Sequence, residues 1–237
     1  MLQCTLLNKL SSFKSIALIL FVGLVLAGCK AFQNQSNAFE NPVCAPPCWE
    51  SITPGTTTKE DASEILSKIS EDQVTVKLNN PSAETDSEIR FSSKNIDGSV
   101  VFIGDTVSLI TLTPKFNVSL QSAIEIFGEP ESVLVYRGGE YIGVTFYKPQ
   151  TGIAFSYTSS AQKRSPSWAQ PPDWIYSEIK PEAQVNFVTF FIPNQEKPLL
   201  DYRVLSFGEL GPDETLQRLR TWSGYGSVDK YLSASQP

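Results

Sequence analysis

The sequence predicts an α+β fold, with short helices packed on an antiparallel sheet and arranged as two helix-then-meander units in tandem. Three observations predict it. Two stretches, Ala62-Ile65-Leu66-Ile69 and Leu120-Ala123-Ile124-Phe127, place apolar residues at i, i+3, i+4 and i+7, the mark of one buried helix face. Each stretch is followed by short runs in which apolar and polar residues alternate between Gly-containing turn signals. Strand-like runs also succeed one another without helices between them, which argues against parallel βαβ units.

The N-terminus reads as an export signal. Lys9 and Lys14 form a positive region with no acid near it, and Ile16 to Leu26 is an almost unbroken apolar run. At 11 residues the run is shorter than the roughly 20 needed to span a bilayer as a helix. It closes on Leu26-Ala27-Gly28-Cys29, which resembles the lipobox of bacterial lipoproteins. That resemblance implies cleavage before Cys29, acyl chains such as palmitate on that residue, and a protein held on the extracytoplasmic face of the cell membrane. A permanent membrane anchor and an ordinary signal peptide are the competing readings. Residues 1–28 are thus expected to be the signal peptide. Residues 29–42, rich in Asn, Gln and Ser, are expected to be a lipidated flexible tether.

Composition narrows the function. Loss of residues 1–28 leaves 209 of the 237 residues, enough for one sizeable core or two small packed domains. It removes two of 19 basic residues and none of 25 acidic ones, so the mature chain carries a formal charge of −8. No cationic run stands out, and nucleic acid is not an expected partner. The chain has no histidine. This excludes Ser-His-Asp and Cys-His catalysis and the commonest metal sites. No cofactor and no metal are expected. Of four cysteines, Cys4 leaves with the signal and Cys29 takes lipid, so Cys44 and Cys48 remain in Cys44-Ala45-Pro46-Pro47-Cys48. An exported compartment permits a structural disulfide between them. A metal site would want more ligands, and a thiol oxidoreductase would want Cys-x2-Cys.

In chain order, residues 43–116 form the first expected unit. Thr57 is read as the N-cap of its helix, with Glu60 completing a capping box, and Trp49 and Ile52 are expected to pack on the helix face. Strands are expected around Val74–Leu78, Ile89–Phe91, Val100–Ile103 and Val107–Leu112, with Asp97-Gly98 as a turn before the third. Residues 117–237 form the second unit. Ser119 is its expected N-cap, and Gly128 and Pro130 stop the helix. Strands at Val133–Tyr136, Ile142–Phe146 and Ile153–Tyr157 follow, with turns at Gly138-Gly139 and Gly152.

Residues 159–183 hold four prolines together with Trp168 and Trp174 and read as one long loop. These tryptophans are candidates for a binding surface, or they cover an open end of the sheet. Val185–Ile192, bulky on both faces, is expected at the centre of the sheet, and Tyr202–Phe207 as a further strand. Pro212 opens a last helix with Leu216 and Leu219 turned inward. Trp222 and Tyr225 in the tail are candidates for stacking on a carbohydrate.

The stretch Ile52-Thr53-Pro54-Gly55-Thr56-Thr57 before a helix, and Phe127-Gly128-Glu129-Pro130 after one, resemble the helix-plus-sheet modules of small bacterial lipoproteins. These include the small lipoprotein subunit of the outer-membrane barrel-assembly machine and the beta-lactamase-inhibitor-like domains. Pro47-Cys48-Trp49 resembles the start of a group of exported lipoproteins. The resemblance implies a module that binds an envelope protein and catalyses nothing. Three function classes therefore stand: a lipid-anchored protein-binding or assembly module, which is favoured; a carboxylate-dependent envelope enzyme or glycan-binding protein; and a solute-binding lipoprotein.

Overall fold

The computed structural model describes residues 39, 43–70, 75–78, 86–138, 141–160, 178–193 and 211–232. Cys29, Trp168, Trp174 and the expected strand at 202–207 lie outside these residues. So does Gly139 of the expected Gly138-Gly139 turn.

Helix α1 (Lys59–Ile69) precedes four strands, β1 (Thr75–Leu78), β2 (Asp86–Ser92), β3 (Ile96–Ile103) and β4 (Thr106–Pro114). Helix α2 (Leu120–Phe127) precedes β5 (Ser132–Gly138), β6 (Tyr141–Lys148) and β7 (Ile153–Ser160). Then come β8 (Glu178–Ile179), β9 (Phe187–Phe191), α3 (Pro212–Arg218), β10 (Arg220–Thr221), β11 (Gly226–Ser227) and a 3-10 turn at Val228–Tyr231. Among the described residues the sheet has nine strands in the order β1-β2-β3-β4-β9-β7-β6-β5-β10, and β8 pairs separately with β11. The pairs are all antiparallel. The α+β class is as expected, and the sheet dominates it.

Side-chain alternation sorts the sheet into two faces. Ile89, Val100, Ile110, Phe190 and Ile153 are register partners in one row, and Leu112, Val188, Phe155, Phe146 and Val133 form a second row on the same face. Phe127 of α2 packs on Phe155 and Phe190, so this is the helix-covered face. The other face buries Leu109, Leu134, Tyr136, Tyr147, Ala154 and Phe191, with Leu219 packed against them. Burial on both faces explains why β9 is apolar at every position but Thr189, which is itself buried.

Several local expectations are corrected. The N-cap of α1 is Thr58, whose hydroxyl accepts from the Asp61 N–H, because Thr57 Oγ1 is already taken by the Thr53 N–H at 2.8 Å. Asp97-Gly98 lies inside β3, and the chain turns at 93–95 instead. Gly98 sits opposite Phe91, whose ring occupies the space a Cβ would need. Leu216 is 48% exposed, whereas Thr215 of α3 is fully buried. The expected loop 159–183 gives up Ser159 and Ser160 to β7, and Glu178 and Ile179 to β8. Ser119 caps α2 as expected, and Gly128 ends it at φ +80.

Candidate functional site

The chain enters the sheet domain through the cysteine loop. Cys44 and Cys48 are joined by a disulfide of 2.00 Å, and the Cys48 N–H donates to Ala45 O at 3.1 Å. The chain then reverses in two residues. Trp49 and Ile52 exchange backbone hydrogen bonds of 2.9 and 2.8 Å, which places Glu50 at φ 48 and Ser51 at φ 68. Positive φ at two non-glycine residues costs roughly 1–2 kcal/mol each. The turn is held by what flanks it. Ile52 is fully buried, and Trp49 stacks on Phe91 with ring centroids 5.2 Å apart.

Beside this turn lies a groove of about 450 Å³, lined by Ser51, Thr53, Thr56, Thr57, Asp61, Glu64 and Ile65. Asp61 and Glu64 share it because they stand three residues apart on α1. Much of this polarity already serves the helix start. Thr58 Oγ1 donates to Asp61 Oδ2 at 2.7 Å, Thr56 Oγ1 donates to Thr53 O at 3.3 Å, and Lys68 Nζ meets Glu64 Oε1 at 2.6 Å. No motif in the sequence marks this groove. Its only trace there is the density of Thr and acidic residues around the cap.

The tail candidates form a second cluster. Trp222 stacks on Tyr231 at 5.7 Å and 7°, and meets Phe146 and Tyr225 nearly at right angles. The Tyr231 hydroxyl donates to Gly224 O at 2.6 Å and accepts from the Ser223 N–H at 3.1 Å, which ties the tail into a closed loop. Trp222 is half-buried and fastens this loop to β6. Tyr225 lies at its edge. Partial burial raises the pKa of its hydroxyl, and the nearby carboxylates of Glu125 and Glu129 raise it further. Lys230 Nζ donates to Tyr225 O at 2.8 Å. Trp222 and Tyr225 are thus brought together, in an acidic setting that periodicity does not reveal.

Among the described residues no group of three or more Cys, Asp or Glu side chains could hold a metal ion. No helix among them is long and apolar enough to cross a membrane. No protein-family model, curated protein or solved structure matches the chain.

Proposed function

We propose that the chain is a lipid-anchored protein of the cell envelope, held on the extracytoplasmic face of the membrane through Cys29, and that its sheet domain is a non-catalytic protein-binding or assembly module. The observation that carries the reading is Leu26-Ala27-Gly28-Cys29 at the close of an 11-residue apolar run. The bonded pair Cys44–Cys48 supports it in two ways. A disulfide suits an exported compartment, and the pairing leaves Cys29 as the remaining cysteine after residue 28. In the same reading each of α1 and α2 heads its own meander, as in the helix-plus-sheet modules the sequence resembles. The absence of histidine removes the commonest catalytic machinery.

The test is to label cells expressing the chain with radioactive palmitate and to fractionate them. Label in the membrane fraction, lost together with signal cleavage in Cys29→Ser, is the expected result. A parent chain that takes no label, or label that persists in Cys29→Ser, would overturn the anchor. The module half is tested by crosslinking and detergent capture, with Trp168→Ala/Trp174→Ala beside the parent chain. A stoichiometric partner lost in that variant is expected, and bait recovered alone from both would count against assembly. A second reading, glycan binding or cleavage through carboxylates, has Asp61 and Glu64 in one groove in its favour. It requires that glycan fragments shift the α1 resonances, and that Asp61→Asn/Glu64→Gln abolishes the shift.

A further inference from the structure

The first described residues of the sheet domain have an unusual character. Val43 is 66% exposed, the most exposed of the large apolar side chains described. Ala45 and Pro46 are exposed as well, and no charged residue occurs from Val43 to Trp49. This apolar tip is rigidly mounted. The disulfide closes it, Trp49 is stacked on Phe91 beneath it, and a Cβ on Gly152 would lie 3.1 Å from Pro47 Cβ, so the loop rests on the turn between β6 and β7. From there β7 runs away along its length. Its residue Ser159 lies about 20 Å from Ile153 at the rise of an extended strand.

We propose that the disulfide-closed loop Val43–Cys48 is the surface the domain lays on the bilayer interface, so that the Ser159 end of β7 points away from the membrane. The proposal rests on the lipid-anchor reading. Thirteen residues separate Cys29 from Val43. Read as the flexible tether its composition suggests, a segment of that length has an end-to-end distance of about 20 Å. The anchor therefore holds the loop at high effective concentration beside the membrane, where a contact too weak to bind on its own is populated. The acidic mature chain is repelled by anionic headgroups, so the attraction comes from the apolar tip. The contact is therefore expected to resist salt and to be strongest on neutral lipid.

The experiment uses the mature lipidated chain in phosphatidylcholine vesicles, with a dansyl-bearing residue at Val43 in one preparation and at Ser159 in another. Both positions are exposed and accept a probe. The readout is quenching by lipids brominated on their acyl chains. At least twofold quenching at position 43, little at position 159, and no change with salt are expected. Equal quenching at the two positions, in chains that float with the vesicles and lose flotation on Cys29→Ser, would overturn the loop contact while the anchor stands. Flotation that persists in Cys29→Ser made without residues 1–28 would overturn the anchor, and the loop proposal with it.

Discussion

Gly98 and Gly143 each lie directly across a strand pair from an aromatic residue, Phe91 and Tyr136. A Cβ on Gly143 would sit 2.1 Å from Tyr136 Cζ, and one on Gly98 would sit 2.3 Å from Phe91 Cζ. The rings fold over the glycines and fill the space where side chains are missing. Gly143→Ala must therefore displace a buried ring, and we expect it to cost about 1–3 kcal/mol. Each kcal/mol lowers the melting temperature of a chain this size by about 2–4 °C. A double-mutant cycle with Tyr136→Leu, followed by thermal melts, should show part of the loss recovered. Purely additive losses would mean that the ring does not rest on the glycine. This also explains why Asp97-Gly98 was misleading in the sequence. A glycine required by a ring on the neighbouring strand carries the same letters as a glycine required by a turn. The Tyr157 hydroxyl offers a pH test. Burial raises its pKa above the ordinary tyrosine value of 10.0, so the folded state favours the neutral form. Its contribution to stability is whole below pH 10 and is lost as pH rises beyond it. Denaturant midpoints measured from pH 8 to pH 11 should fall for the parent chain and fall less for Tyr157→Phe.

The helices show which elements are written locally. Ser119 was legible as a cap because its role needs only the next three residues: its Oγ accepts from the Ser122 N–H at 3.1 Å. Ser119→Ala should cost about 1 kcal/mol in urea denaturation, and Ser119→Asp should retain most of the stability. Equal losses in both would place the role of Ser119 outside capping. The cap of the first helix lies one residue beyond the expected Thr57, for a reason the letters hide. Thr56, Thr57 and Thr58 are adjacent, and the choice among them is made by the Thr53 N–H, which occupies Thr57 and leaves Thr58 to cap. The strands of each meander were legible from alternation. The pairing of β8 with β11 joins residues about 50 positions apart and leaves no periodic trace. The cysteine loop was the legible part of the candidate site, since cysteine spacing is itself a local signal. The groove beside it depends on how α1 meets the Trp49–Ile52 turn, which is a tertiary outcome.

At the scale of the molecule, β9 decides whether the chain is two modules or one. It pairs with β4 through Leu109–Leu112 and with β7 through Ile153–Ser156, so the meander after α1 and the meander after α2 meet on it. Its Phe190 packs on Phe127 of α2, and its Phe191 stacks on Tyr147 at 5.4 Å. Without β9, the edges of β4 and β7 would both lack their partner in the middle of the sheet, a condition that sheets avoid because open edges aggregate. The central pairing also joins residues about 80 positions apart, so its closure entropy is repaid only when both halves are formed. We therefore expect one cooperative unfolding transition for residues 29–237, with far-UV dichroism and tryptophan fluorescence coincident in urea. Residues 43–116 made alone should show no such transition, and Thr189→Pro, which removes a ladder donor inside β9, should abolish it in the full chain. Two separated transitions, one of them reproduced by residues 43–116, would mean that each helix-then-meander half is stable by itself and that β9 only docks them. A partner or a membrane could then move one half against the other. A single transition makes the two halves one cooperative folding unit, so that a substitution destabilising either half lowers the same midpoint.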